Sequence, residues 1–160
     1  SGDGQTAQVL SDAAQTSRTS VRELRTLVVD IYPPELESSG MVAALDDLVN
    51  GLPDSLVVES ELAEPAGLDA RAQAALYRVA REALGNVVKH AAASSVRLNL
   101  SQRGATVTLT VADNGRGFDP DRVQAGHLGL RLMDDLVASI GGRFRVRSAL
   151  GAGTTVTVEV

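Results

Sequence analysis

The chain has 160 residues, a net charge of −5 at pH 7 and no cysteine, which excludes disulfides and thiolate metal sites and argues against nucleic acid as a partner. Hydrophobic residues make up 44% of the chain, enough for a real core. No run of about eighteen apolar residues occurs, so the sequence predicts no membrane span.

The first predicted element is a helix over residues 5–31, in which apolar residues recur at spacings of three and four. Such a seam packs one helix on another, although an amphipathic helix docked on its own domain would give much the same pattern. Tyr32-Pro33-Pro34 is expected to end this helix, because proline lacks the backbone donor and clashes with the preceding turn. The predicted division is therefore a helical appendage, 1–34, and a main domain, 35–160.

The main domain shows helical and strand periodicities in mixed order. The predicted elements are helix 41–50, strand 56–62, helix 70–91, strand 96–101, strand 105–112, helix 128–140, strand 143–149 and strand 154–160. Glycines at Arg103-Gly104 and Gly141-Gly142 suggest hairpin turns. We therefore expect an α/β two-layer sandwich with a mixed, largely antiparallel sheet.

The long helix predicted after Asp69, a plausible N-cap, carries two distinct faces. Its buried stripe is expected to consist of Leu76, Val79, Ala80, Ala83, Leu84, Val87 and Val88. Glu82, Asn86 and His90 are spaced four apart on another face, with Lys89 beside them. A carboxamide with a carboxylate one turn away suits Mg²⁺, and the two basic groups could meet phosphate oxygens. The alternative is an ordinary solvated face.

The strand that ends near residue 112 is followed by Asp113-Asn114-Gly115-Arg116-Gly117-Phe118. A carboxylate at this point can accept a hydrogen bond from an exocyclic amine, and glycines let the backbone approach a flat ring. This pattern outlines a purine site, although an ordinary turn after a strand could carry the same residues.

Two further glycine clusters follow in chain order. Gly126-His127-Leu128-Gly129-Leu130 precedes a helix, whose free N–H groups attract anions. Gly151-Ala152-Gly153-Thr154-Thr155 connects the last two strands. Either cluster alone is more often a turn than a ligand site, but four such elements in one order predict a nucleotide pocket.

Together these motifs resemble the ATP-binding catalytic domain of sensor histidine kinases, in the GHKL class, with the Bergerat-type fold, that also holds Hsp90, type II topoisomerases and MutL. Residues 82–91 resemble the N box, and residues 113–118 resemble the first glycine box. The clusters at 126–130 and 151–154 are similar to the later glycine boxes. The wording NVVKHA, GFDP and GHLGL further resembles the subfamily that partners NarL-type response regulators.

The resemblance implies ATP and Mg²⁺ as cofactors. Asp113 would hold the adenine amine, and Gly115 and Gly117 belong to the same nucleotide motif, with Gly117 giving the base room. Asn86 would ligate Mg²⁺. Glu82 would be the N-box acid, which in part of the family orients or activates the nucleophile, whereas in the subfamily that partners NarL-type regulators an acid directly after the phosphorylated histidine more often has that task. Near the phosphate chain would lie Lys89, His90, the backbone of Gly129 and the hydroxyl of Thr154, and the other implied nucleotide-binding residues are Gly126, His127, Leu128, Leu130, Arg131 and Gly153.

The resemblance also implies transfer of the γ-phosphoryl group to a histidine and then to a NarL-type response regulator. The chain has only two histidines, His90 and His127, and both lie inside nucleotide motifs. The accepting histidine is therefore expected on a helical hairpin of a full-length kinase, with residues 1–34 as the end of that hairpin and its linker. Such a kinase would be homodimeric and attached to a membrane, with this part in the cytosol. The alternatives are an anti-sigma-type protein serine kinase and a degenerate nucleotide-binding interaction module.

Overall fold

The computed structural model describes residues 33–119 and 128–160. The chain divides into two units, Ser1–Tyr32 and Pro33–Val160, and every described residue belongs to the second. The predicted helix over residues 5–31 and its packing seam therefore lie outside the described residues. No helix in the described part combines the length and the apolar character needed to cross a bilayer.

Five strands form one sheet. Their bounds are β1 Val57–Leu62, β2 Ser95–Arg103, β3 Thr106–Asp113, β4 Arg143–Ser148 and β5 Thr154–Glu159. The order across the sheet is β1-β2-β3-β5-β4. β1 and β2 run parallel, whereas the three other pairings are antiparallel. The prediction of a mixed, largely antiparallel sheet is confirmed.

Helices cover one face of this sheet. They are α1 Pro34–Asn50, α2 Ala70–Asn86 and α3 Leu128–Ser139, and α2 continues into one π-helical turn, Val87–Ala91. The strands alternate between the two faces, and the residues that point towards the helices are buried: Val96, Leu98, Leu100, Val107, Leu109, Val111, Val156 and Val158. The threonines of β3, together with Thr155, Thr157 and the exposed arginines of β4, lie on the opposite face. The two-layer α/β sandwich is confirmed.

Helix α1 begins earlier than predicted. Pro33 and Pro34 precede and start this helix, because the fixed φ of Pro34 suits a first helical turn. The helix that they were expected to end lies outside the described residues. Gly40, with φ +81° and ψ 175°, then interrupts the helix. Glu64 caps the restart by accepting hydrogen bonds from the N–H groups of Val42 at 3.1 Å and Met41 at 3.4 Å. The predicted start at residue 41 is thus this second beginning.

Helix α2 starts as predicted and ends differently. The Asp69 carboxylate accepts a hydrogen bond from the Ala72 N–H at 2.8 Å, which confirms the N-cap. The apolar stripe is buried through Val87, but Val88 is 47% exposed. The π-helical turn contains more residues than an α-helical turn, so it changes the direction in which the following side chains point.

The prediction of a hairpin at Gly141-Gly142 was wrong, because these residues end α3. Gly141 has φ +74°, and the N–H of Gly142 donates to the carbonyl of Val137 at 3.0 Å, which is the pattern of a glycine C-cap. The turn between β4 and β5 lies at residues 149–153 instead. The other predicted hairpin, at Gly104, connects β2 to β3 with φ +60°.

Candidate functional site

The helix-facing surface of the sheet becomes polar at one end of strands β3, β5 and β4. Asp113 at the end of β3 pairs with Thr154 at the start of β5, which pairs with Ser148 at the end of β4. Two residues further into each strand, the paired residues on the same face are valines. The register therefore places a carboxylate and two hydroxyls in one row, next to the apolar core.

The loop after Asp113 is held on one side by residues 91–95. Asp113 Oδ1 accepts a hydrogen bond from the Gly115 N–H at 2.7 Å. The side-chain oxygen of Asn114 accepts from the N–H groups of Ser94 and Ser95 at 3.0 and 2.9 Å. The Arg116 N–H donates to the carbonyl of Ala91 at 2.8 Å. These bonds hold the loop in place, and the bond from Gly115 positions one oxygen of the Asp113 carboxylate.

The turn between β4 and β5 holds the same loop from the other side. The Gly151 N–H donates to the carbonyl of Arg116 at 2.7 Å. The Phe118 N–H donates to Ser148 Oγ at 2.9 Å. The loop and the turn thus form one hydrogen-bonded unit.

The glycines of these motifs serve backbone packing. Gly117 has φ +58°, and a Cβ there would overlap the carbonyl of Ala149. Gly153 has φ +75°, and a Cβ there would overlap the carbonyl of Asp113. A Cβ on Gly115 would overlap the carbonyl of Ala91. Glycine is therefore needed at these positions because neighbouring chain segments pack against them. The sequence pattern had instead indicated that these glycines make room for a flat ligand.

A cavity of about 580 Å³ lies between α2, β3, the first turn of α3 and the β4–β5 turn. Small-molecule sites commonly have volumes of about 300–1,000 Å³. Many of the predicted site residues line it: Glu82, Asn86, His90, Asp113, Gly117, Leu128, Gly129, Leu130 and Thr154. Segments far apart in sequence thus meet at one cavity.

Other predicted residues do not line this cavity. Lys89 and Arg131 are exposed on α2's π-helical turn and on α3, respectively. Gly115 and Gly153 are buried and act through the backbone contacts given above. Gly126 and His127 lie outside the described residues.

Sequence reasoning missed most of the apolar wall of the cavity. The additional lining residues are the charged Arg116 and seven apolar residues: Ala83, Val87, Ala91, Val111, Phe118, Leu150 and Val156. Ala83 and Val87 were assigned to the core by periodicity, and periodicity does not reveal where a core opens. Leu150 is 75% exposed, and its position in the turn directly before Gly151 gave no signal of a role.

The first turn of α3 lies directly against α2. A Cβ on Gly129 would approach Glu82 Oε1 to 2.7 Å and Asn86 Nδ2 to 3.9 Å. Unpaired N–H groups in a first helical turn favour anions, and a carboxylate with a carboxamide favours a hard cation. No group of three or more acidic or histidine side chains suited to a metal occurs in the described part of the chain. A divalent ion here would therefore take most of its ligands from a bound phosphate chain or water, as Mg²⁺ does.

Comparison with known proteins places these features in one family. A family model described as "Histidine kinase-, DNA gyrase B-, and HSP90-like ATPase" matches residues 71–160. The sensor histidine kinase LiaS of Bacillus subtilis is 32% identical over 139 residues, covering 86% of this chain and 39% of that protein. The sensor histidine kinase MctS of Rhizobium johnstonii is 37% identical over 145 residues, covering 86% of this chain and 31% of that protein.

A solved structure shows the same fold. The histidine kinase domain of the Erythrobacter litoralis EL346 blue-light activated histidine kinase matches with a TM-score of 0.61 and 24% identity, over 72% of this chain and 56% of that one. The chain spans 39% and 31% of the length of the two curated relatives.

Proposed function

This chain belongs to the family of histidine kinase-, DNA gyrase B- and HSP90-like ATPases, and on that basis we propose that it is the catalytic domain of a two-component sensor histidine kinase. One observation carries the proposal. The cavity brings Asp113, at the end of β3, together with Glu82 and Asn86 of α2, with the first turn of α3 beside them. A carboxylate, a carboxamide and a helix start around an apolar cavity form a site for a purine nucleotide and its phosphates.

The row formed by Asp113 at the end of β3 and Thr154 at the start of β5 would bind the base. Asp113 accepts one hydrogen bond within its own loop through Oδ1, and its carboxylate lines the cavity. A second oxygen can accept from the exocyclic amine of adenine. Val111, Phe118 and Leu150 supply apolar contact for the flat ring. Thr154 lies beside Asp113 in the register, so its side chain belongs to this part of the site.

Glu82, Asn86 and the start of α3 would hold the phosphates. Asn86 is the proposed Mg²⁺ ligand, since its carboxamide lines the cavity next to Gly129. When bound, Mg²⁺ would neutralise negative charge on the phosphate chain. Glu82 is the proposed acid beside the transferred group, and His90 would lie near the phosphates. Lys89 and Arg131 are exposed, so they would contact the phosphates only if their long side chains extend through solvent towards the site.

The γ-phosphoryl group would pass to a histidine on a helical hairpin and then to a response regulator. The relatives that this chain matches are more than twice its length, which leaves room for such a hairpin in a larger protein. Residues 1–34 would contain the end of that hairpin and its linker. We further propose a NarL-type regulator, a homodimeric full-length kinase and a cytosolic position for this domain.

The test is isothermal titration with a non-hydrolysable ATP analogue, with and without Mg²⁺. Mg²⁺ should tighten binding to the wild-type protein and should have no such effect on Asn86→Ala. Asp113→Asn should weaken binding about 10- to 100-fold under both conditions, because a charged acceptor for the amine is lost. Asparagine keeps an oxygen for the Gly115 N–H, so this variant preserves the loop.

Asn99→Ala is the matched control. Asn99 lies on the outer face of β2, where its side chain donates to Glu61 at 3.2 Å. This variant should bind like wild type. A full Mg²⁺ response in Asn86→Ala would contradict the metal assignment, and unchanged affinity in Asp113→Asn would contradict the base assignment.

A further inference from the structure

Ser148 lies beside the nucleotide cavity without lining it. Its half-buried side chain shares the helix-facing side of the sheet with Asp113 and Thr154. The hydroxyl oxygen contacts three groups: the Phe118 N–H at 2.9 Å, the Gly153 carbonyl at 3.0 Å and Thr154 Oγ1 at 3.0 Å. A single hydroxyl thus connects the loop after β3 to the turn before β5.

The directions of these three bonds follow from counting protons. A backbone N–H only donates, so Ser148 Oγ accepts from Phe118. A carbonyl only accepts, so the one hydroxyl proton of Ser148 goes to Gly153. No proton remains on Ser148 for the third contact. The Thr154 hydroxyl must therefore donate to Ser148, which commits the only hydroxyl proton that Thr154 has.

This arrangement sets the polarity of the site. Thr154 lines the cavity, but with its proton directed at Ser148 its hydroxyl can offer only oxygen lone pairs to a ligand. Its cross-strand partner Asp113 is a carboxylate and also accepts. Two adjacent acceptors favour a ligand that presents a donor, such as an exocyclic amine, and disfavour one that presents a carbonyl oxygen.

We propose that Ser148 is a positioning residue for base selection: it orients the Thr154 hydroxyl so that the site accepts a purine with an amine at ring position 6 and rejects one with an oxygen there. The inference rests on the proposed function and adds a specificity determinant to the same site. Ser148 acts through Thr154 and needs no contact with the nucleotide.

The experiment compares ADP with inosine 5′-diphosphate by isothermal titration. The two bases differ at ring position 6, where inosine carries a carbonyl oxygen in place of the amine, and at the adjacent N1, which carries a hydrogen in inosine and only a lone pair in adenosine. The quantity measured is the dissociation constant of inosine 5′-diphosphate divided by that of ADP, so a high ratio means a strong preference for ADP. Ser148→Ala should lower the preference for ADP about five- to tenfold, because the released Thr154 hydroxyl can turn its proton towards the carbonyl.

Three further variants separate this role from simple bracing of the loops. Ser148→Thr keeps the hydroxyl and should keep the wild-type ratio. Thr154→Val should lower the ratio as Ser148→Ala does, since the second acceptor is gone. In the double variant Ser148→Ala/Thr154→Val, the loss of Ser148 should cause no further change in the ratio. Ser101→Ala, on the opposite face of the sheet, is the unrelated serine control and should behave as wild type.

A purely structural role gives a different result. If Ser148→Ala weakens the binding of ADP and the binding of inosine 5′-diphosphate by the same factor, the ratio of dissociation constants stays constant and the inference is overturned. Thermal unfolding of each variant shows whether the fold is retained, and Ser148→Thr provides the folded comparison. A wild-type protein that binds neither nucleotide would instead remove the proposed function, and the inference with it.

Discussion

Gly117 lies where two backbone segments come closest. Its φ of +58° is costly for any residue with a Cβ, and a Cβ would also overlap the carbonyl of Ala149. Gly151 shares the positive φ, at +75°, but has no atom within 4 Å of a Cβ position. The two glycines therefore separate the conformational cost of a substitution from its steric cost.

We expect Gly117→Ala to lower the free energy of unfolding by about 3 kcal/mol or more, because strain and overlap add. Gly151→Ala should cost about 1–2 kcal/mol, from its backbone conformation alone. Urea denaturation of both variants measures the difference. Equal losses would show that the loop after β3 and the β4–β5 turn do not pack as closely as described.

At the scale of single residues, the sequence predicted the polar residues of the cavity better than the apolar residues that surround them. Asp113, Asn86 and Glu82 were predicted because carboxylate and amide groups at fixed spacings have recognisable chemistry, and all three line the cavity. Leu150 could not be predicted, because its role depends on a turn position and not on a pattern. Thr154 was expected near phosphates, and only the strand register places it beside Asp113.

Among the elements, α1 shows how a distant residue can define a helix start. Glu64, beyond the end of β1, accepts hydrogen bonds from the N–H groups of Met41 and Val42 just after the break at Gly40. A carboxylate at this point satisfies two unpaired donors and complements the helix dipole. The sequence pattern within residues 34–50 does not reveal this cap, because the capping residue is 22 positions away from Val42 in the sequence.

Glu64→Ala should lower the free energy of unfolding by about 1 kcal/mol, since the cap is lost from a partly exposed helix end. Urea denaturation measures the change. Glu61→Ala is the control: Glu61 is an exposed acid on β1 that, within the described part of the chain, accepts a hydrogen bond from Asn99 alone, and its loss should cost less than about 0.5 kcal/mol. If the two variants lose the same stability, Glu64 does not cap the helix.

The end of α2 was predicted less well than its start. The periodicity of 3.6 residues extends the helix to residue 91, but the last turn is π-helical and leaves Val88 exposed. Sequence patterns assume one helix type throughout, so they could not show this change. His90 nevertheless lines the cavity, whereas Lys89 does not.

At the scale of the whole molecule, the elements were predictable and their arrangement was only partly so. Alternating apolar residues identified the strands, and Gly104 correctly indicated the hairpin between β2 and β3. The placement of β5 between β3 and β4 is a long-range pairing that no local pattern encodes. That pairing brings Thr154 and the β4–β5 turn to Asp113, and so completes the site.

The central claim is that separate segments form one nucleotide pocket. Titration of ¹⁵N-labelled protein with ADP, followed by amide chemical shifts, tests it most directly. Amides in residues 82–91, 113–118, 128–130 and 148–154 should shift along one binding curve, while those of β1 stay unchanged. Shifts confined to a single segment, or segments that follow different binding curves, would contradict the claim.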